Sequence, residues 1–233
     1  STPTFPTRDN YVFETTIEYG DRETDIASRA KFNLVSEKQV SAATTIDLAM
    51  NRFYFYGVAG LQNFGLLNDP NLPNALTPAN GASGQKTWPT KTAVERYNDI
   101  LALVADLADR SKGYIDENSR LKLVISPARS PLLLGTSDLM ANSVKALLKE
   151  GLPNLDVVVA PEMSMDAGEM MMLFADVVDA DDTVNKVADL VFSEKMRAGR
   201  VVPYLSHFKQ KYSAGTFGAV IFQPFAVASM LGI

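Results

Sequence analysis

The chain has 233 residues, 46% of them hydrophobic and 21% charged, with a formal net charge of -5 and no cysteine. That length and balance give one large domain or two intimate ones with a sizeable core, and they argue against disorder as the main state. The negative charge argues against nucleic acid as the principal partner, and the lack of Cys excludes disulfides, thiolate metal sites and thiol catalysis.

At the N-terminus, STPTFPTRDN holds two prolines and three threonines and reads as an extended arm, with no basic-then-apolar signal pattern. YVFETTIEYG (11–20) alternates β-branched and aromatic residues with polar ones, as in a half-exposed strand. From Ser36 the period changes. Ser36 and Gln39 read as a capping box, and Val40, Ala43, Ile46, Met50 and Phe53 follow at helical spacing up to a stop at Gly57. The last turn, Phe53 to Tyr56, is aromatic all round, which implies enclosure by other elements or other subunits. YGVAGLQNFGLLNDPNLP (56–73) follows and joins turn residues to large apolar side chains. Residues 74–90 read as a surface loop with the only tryptophan, Trp88, at its end.

Thr92 and Glu95 form a second capping box before a helix to about Lys112, with Val94, Tyr97, Ile100, Leu101, Val104, Leu107 and Ala108 on one face. LKLVIS (121–126) reads as a buried strand, and 137–151 as a short helix capped by Ser137 and stopped by Gly151. LDVVVAPE (155–162) and MMMLFADVV (170–178) are apolar strands, DADD (179–182) is a turn, and 187–230 is a terminal β region. The order predicts an α+β protein of two interleaved parts. No run of about 18 apolar residues predicts a membrane span.

Chemistry is sparse. His207 is the only histidine, with no Cys and no nearby Ser–Asp pattern to build a triad or a zinc site. Asp179, Asp181 and Asp182 could hold a hard cation, but lack the Gly and distal Glu of an EF-hand loop, so a solvated turn explains them better. GVAGLQNFG (57–65) has neither dinucleotide nor Walker spacing and follows a helix rather than a strand. Glu162 and Glu169 flank a turn, and nothing marks them beyond ordinary surface charge. Lys195, Arg197 and Arg200 around Gly199 read as a charged turn that keeps strand edges soluble or meets an acidic partner. An α/β enzyme with an acidic metal site at Asp179–Asp182 is the alternative from a different class. The emptiness elsewhere shifts weight to a structural or interaction protein.

NRFYFYG (51–57) followed by GLQNFGLLNDPNLP (60–73) resembles the major capsid proteins of tailed bacteriophages and prophages. More narrowly, it is similar to a branch whose spine helix ends in an aromatic-plus-glycine step. Other parts agree in order. Residues 11–33 resemble the strand returning from an extended loop into the spine helix, 91–151 resembles the axial domain, and GAVIFQPFAVASMLGI (218–233) resembles the closing strands. The resemblance implies a Hong Kong 97-like fold with a long spine helix, a peripheral β region and an α/β axial domain. The implied boundaries are 1–90 for the first peripheral part, 91–185 for the axial domain and 186–233 for the return to peripheral strands.

The implied function is a non-enzymatic subunit of an icosahedral head that self-assembles into capsomers enclosing DNA; an encapsulin-like compartment shell is the same-fold alternative. The implied partners are copies of itself in pentamers and hexamers, a scaffold protein, and packaged DNA through weak non-specific contact, with no membrane. No cofactor or metal is implied. The location is the virion, and the host cytoplasm during assembly. Candidate subunit contacts are Leu61, Phe64, Leu66, Leu67, Pro70, Leu72, Arg197 and Arg200, with Asn63 and Asn68 satisfying backbone groups in the turns. Only about 35 residues precede Ser36, so the resemblance also implies an N-terminal arm and an outgoing loop strand that are missing, shortened or cleaved.

Overall fold

A computed structural model of the chain describes residues 7–136, 142–178 and 184–233. The chain divides into two units, one of Ser1–Pro70 and Asp189–Val220, the other of Asn71–Ala188 and Ile221–Ile233. The first unit opens with β1 (Tyr11–Gly20), α1 (Asp21–Arg29) and α2 (Leu34–Tyr56). The second contributes α3 (Ala93–Arg110), β2 (Leu121–Ile125), α4 (Val144–Gly151), β3 (Leu155–Val159), β4 (Ser164–Met165), β5 (Gly168–Ala175), β6 (Val177–Val178) and β7 (Val184–Asn185). The long strands β8 (Ala188–Pro203) and β9 (His207–Ile221) then return to the first unit, and β10 (Val227–Leu231) closes the second.

In the first unit, the three-stranded sheet has the order β1-β9-β8. β1 runs antiparallel to β9, from Tyr11 opposite Thr216 to Gly20 opposite His207. The alternation read in 11–20 is the observed one. Ile17 and Tyr19 point inward with Tyr212 and Ala214, against Ala42, Ile46 and Met50 of α2. Side chains one residue along the strands face the other way and pair by charge: Lys209 Nζ lies 3.0 Å from Glu18 and Lys211 Nζ 2.6 Å from Glu14.

α2 differs from its sequence reading at its start. Its N-cap is Asn33, whose side chain accepts the Ser36 N–H at 3.2 Å, so Ser36 is the recipient of a cap rather than its donor. The buried stripe is Ala42, Ile46 and Met50, spaced by four, while Val40 is exposed. α1 lies inside the stretch read as a returning strand. It buries no residue, so it carries no apolar periodicity; its marks are Asp21 and Glu23 in the first turn and Arg29 in the last. Lys195, Arg197 and Arg200 are not in a turn. They lie inside β8, an edge strand, and the hairpin turns at Tyr204, whose N–H donates to His207 O at 2.8 Å.

The second unit is built on the sheet path β10-β5-β2-β3, with β4 paired to β5. β2 and β3 are parallel and joined through α4, while β5 runs antiparallel to both β2 and β10. Leu121, Leu123 and Ile125 alternate into the core, and Met170 to Leu173 of β5 are buried on both faces. The methionine run is therefore core, as flexible thioethers fill irregular gaps. α3 brings Ile100, Leu103 and Leu107 against this sheet. α4 starts later than 137: its cap is Ser143, accepting from Ala146 N–H, and residues 137–141, including Ser137, lie outside the described residues. The terminal region read as 187–230 is β as expected but is shared between two sheets, since β8 and β9 belong to the first and β10 to the second. Among the described residues no helix is long and apolar enough to cross a membrane.

Trp88 is fully buried rather than at a surface-loop end. Its indole N–H donates to Asp99 Oδ2 at 2.9 Å, and Lys91 Nζ meets the same oxygen at 2.5 Å. The Lys91 and Asp99 side chains are 1% and 4% exposed. Removing one partner of such a pair leaves a charge in a dry site. Lys91→Met is expected to lower unfolding free energy by about 3–5 kcal/mol, read from the denaturant midpoint; a midpoint unchanged from wild type would contradict it.

The Thr92–Glu95 box is formed as read. Hydrogen bonds from the N–H groups of Thr92 and Ala82 hold the Glu95 carboxyl below its ordinary value of 4.5, against a small opposing effect of burial. A carboxyl lowered on folding stabilises above its unfolded value and loses that contribution as pH falls through the folded one. Melting curves of Glu95→Gln should therefore lie below wild type at neutral pH and converge with it in acid below 4.5.

Candidate functional site

The bend after α2 is closed on the helix end. The last carbonyls of a helix have no partner within it. Here Gly57 N–H donates to Phe53 O at 2.8 Å, Leu66 N–H to Tyr54 O at 2.7 Å and Leu67 N–H to Phe55 O at 3.0 Å. Asn68 Nδ2 donates to Tyr56 O at 2.7 Å while its Oδ1 accepts Gly65 N–H at 2.6 Å. All four terminal carbonyls are thus met, three of them by the returning chain.

Two glycines make this approach physically available. Gly57 sits at φ 63, where L side chains are strained, and a Cβ there would lie 2.3 Å from Asn63 O. Gly65 has an ordinary φ but passes over the helix end, so its Cβ would lie 2.3 Å from both C and O of Phe55. Val58 N–H donates to Asn63 O at 2.9 Å and closes the small loop between them.

Asn63 is buried, and its Nδ2 donates to Asp9 O at 3.1 Å and Thr216 O at 2.9 Å. Asp69 is buried too, with Arg8 Nη2 at 2.5 Å; the two side chains are 0% and 11% exposed. Asn63 and Asn68 satisfy backbone groups as the sequence suggests. Arg8, Asp9 and Asp69 were missed, because nothing local marks three residues that meet across 53 to 61 positions.

Of the predicted contact residues, Phe64, Leu66 and Leu67 are half-buried against their own unit, and Leu61 and Pro70 are exposed. Leu72 is half-buried in the other unit. Arg200 and Arg197 are exposed on β8, and Arg197 Nε lies 3.9 Å from Glu194. Phe53 stacks edge-on with Tyr11 at 5.1 Å and packs on Phe13 at 5.0 Å between ring centroids. Burial pushes the Tyr54 phenol above its ordinary value, partly offset by its hydrogen bond with Thr216. The aromatic turn is thus enclosed by β1 and β9 in part, while Tyr56 stays exposed.

Elsewhere, His207 stacks on Tyr204 at 4.7 Å with Nε2 3.4 Å from Glu18. Glu169 Oε1 accepts Ser164 Oγ at 2.7 Å. Asp179, Asp181 and Asp182 lie outside the described residues. Among the described residues no three His, Asp or Glu side chains gather as a metal site.

The long helix laid on a three-stranded sheet and the mixed α/β unit define a Hong Kong 97-like capsid fold. The capsid of Myoviridae phage XM1 has a TM-score of 0.73 at 14% identity, covering 97% of this chain and 74% of that one. The capsid of the native GTA particle has 0.65 at 15% identity, covering 96% and 72%. The holo-SrpI encapsulin of Synechococcus elongatus PCC 7942 has 0.53 at 11% identity, covering 95% and 73%. No curated protein sequence matches the chain. The family described as Pa193 gp26 major capsid protein matches residues 1–232, and the chain belongs to that family. It is a structural subunit of a phage head, located in the virion, that associates with copies of itself in capsomers.

The close approach at Gly65 gives a direct test. Gly65→Ala should cost about 3 kcal/mol by forcing the backbone apart, whereas Gly60→Ala, with nothing within 4 Å but φ +85, should cost only about 1 kcal/mol of backbone strain. Chemical unfolding of the two variants side by side checks the order; equal losses would show that the bend is not pressed on the helix.

Proposed function

We propose that the subunit builds capsomers of five and six copies around packaged DNA, performs no reaction of its own, and assembles in the host cytoplasm with help from a scaffold protein. The observation that carries this reading is the family match along residues 1–232, on a chain with the fold of a phage capsid. The same match favours a phage head over an encapsulin compartment. The polar groups of the bend support a structural role, since Asn63, Asn68 and Asp69 are engaged with backbone or with Arg8. An acidic subunit suits a DNA container, because an inner wall must hold DNA without gripping it.

In this reading the unit of Ser1–Pro70 and Asp189–Val220 is the peripheral domain, and the other unit is the axial one. Neighbour contacts fall on the exposed Leu61, Pro70, Arg197 and Arg200, while Phe64, Leu66, Leu67 and Leu72 back them from partly buried positions. Each contact can be weak, since closed rings multiply them.

Electron microscopy of the chain co-produced with its scaffold tests the proposal. Rings or closed shells with five- and six-fold units are expected. Leu61→Asp and the double variant Arg197→Glu, Arg200→Glu should keep wild-type circular dichroism and melting but lose most shells. Small monodisperse species from the wild-type chain under every assembly condition would overturn the reading.

A further inference from the structure

Residues 7–10 are fastened at each position to elements far along the chain. Thr7 Oγ1 donates to Gln62 Oε1 at 3.0 Å, Arg8 Nη2 to Asp69 Oδ2 at 2.5 Å, and Ser193 Oγ to Asn10 Oδ1 at 2.9 Å. Asp9 and Gln62 bond in both directions: Asp9 N–H donates to Gln62 O at 3.0 Å, and Asp9 Oδ2 accepts Gln62 N–H at 2.8 Å. The Arg8 guanidinium lies 4.8 Å above the Phe64 ring centroid. Asn63 then links the segment to β9, through Asp9 O and Thr216 O.

Every one of these ties is polar or cation–π. None belongs to the apolar core between α2 and the sheet. They can therefore break without that core opening, which is the condition for a local unfolding unit. Apart from the Asn10–Ser193 bond to β8, their target is the stretch whose Leu66 and Leu67 N–H groups close the end of α2. Arg8 Nη1 is buried, and among the described residues no hydrogen bond to it is found, so the segment is held at Arg8 through Nη2 and the ring contact.

We infer that residues 7–10 are a releasable latch on the end of α2. Held, the latch locks the bend over the helix carbonyls. Drawn away, it withdraws a cation from the fully buried Asp69 and a carbonyl from Asn63, and the bend opens together with the last helical turn. Withdrawal of residues 7–10 is thereby transmitted to a helix end more than 40 residues further on. The inference stands on the contacts within one unit and is independent of the shell reading.

Native-state hydrogen exchange on the unaltered subunit, dissociated from any assembly, tests it. The amides of Asp9, Leu66 and Leu67 should share one opening rate and one denaturant dependence, faster than the amides of Ile46 and Leu123. Protection at Leu66 and Leu67 more than tenfold above that at Asp9 would overturn the latch. In Arg8→Met, exchange at Leu66 and Leu67 should rise at least tenfold with Ile46 and Leu123 unchanged within twofold. A uniform rise across all four, or no rise at Leu66 and Leu67, would overturn the latch.

Discussion

The end of α2 sets a constraint that the first unit must answer. A helix of 23 residues is a rod about 35 Å long at 1.5 Å per residue, and its last four carbonyls need donors. In roughly a third to a half of helices a single left-handed residue, usually glycine, and a turn supply one or two of them. Here the chain goes out eight residues from Gly57 to Gly65 and comes back across the helix end, so Leu66, Leu67 and Asn68 supply three. The exit direction of the chain from the rod is then fixed by hydrogen bonds at both sides of the return, and not by one flexible residue.

That arrangement matters because the first unit has a thin core. α2 covers one face of a three-stranded sheet, and among the described residues seven buried side chains, with Phe13, Val35, Tyr54 and Phe208 packed against them, form its cluster. The opposite face carries Glu14, Glu18, Lys209 and Lys211, which are solvated and add little individually. The second unit differs in kind. Its β5 is apolar on both faces, and the sheet lies under α3, so burial of large side chains can carry its stability. In the first unit, polar ties such as Arg8–Asp69 and Asn63–Thr216 supplement a small apolar core, and their value lies in selecting one geometry for the bend.

The parts legible in the sequence are those whose causes are local. The β1 alternation, the Thr92–Glu95 box, the LKLVIS strand and the Gly57 stop each follow from neighbouring residues, and each is in the structure. The bend was legible for the same reason: its glycines, asparagines and leucines follow one another within 18 positions, and they carried the family resemblance. Non-local causes were invisible. α1 buries nothing, so no apolar period announced it. Asn33 and Ser36 both look like caps, and only the chain path decides between them. Gly199 among basic residues imitates a turn, although β9 lies beside it and Gln210 donates to its carbonyl at 2.9 Å. Arg8 gives no sign that it will reach a carboxylate 61 positions away.

If the proposed neighbour contacts fall on the bend, one surface has to satisfy two demands, because neighbours would bind the same backbone that the fold must hold in place. The bend divides these demands by burial. Asn63, Gly65 and Asp69 face inward, and a change there alters the path of the chain before any neighbour is involved. Leu61 and Pro70 face outward from turns already fixed by those residues, so a change there leaves the path intact. Loss of assembly from the outward set with folding preserved therefore speaks of contact between copies, while loss from the inward set speaks only of the fold. Phe64 is half-buried under the Arg8 guanidinium, so its substitution would disturb the fold as well as any proposed contact and cannot separate the two.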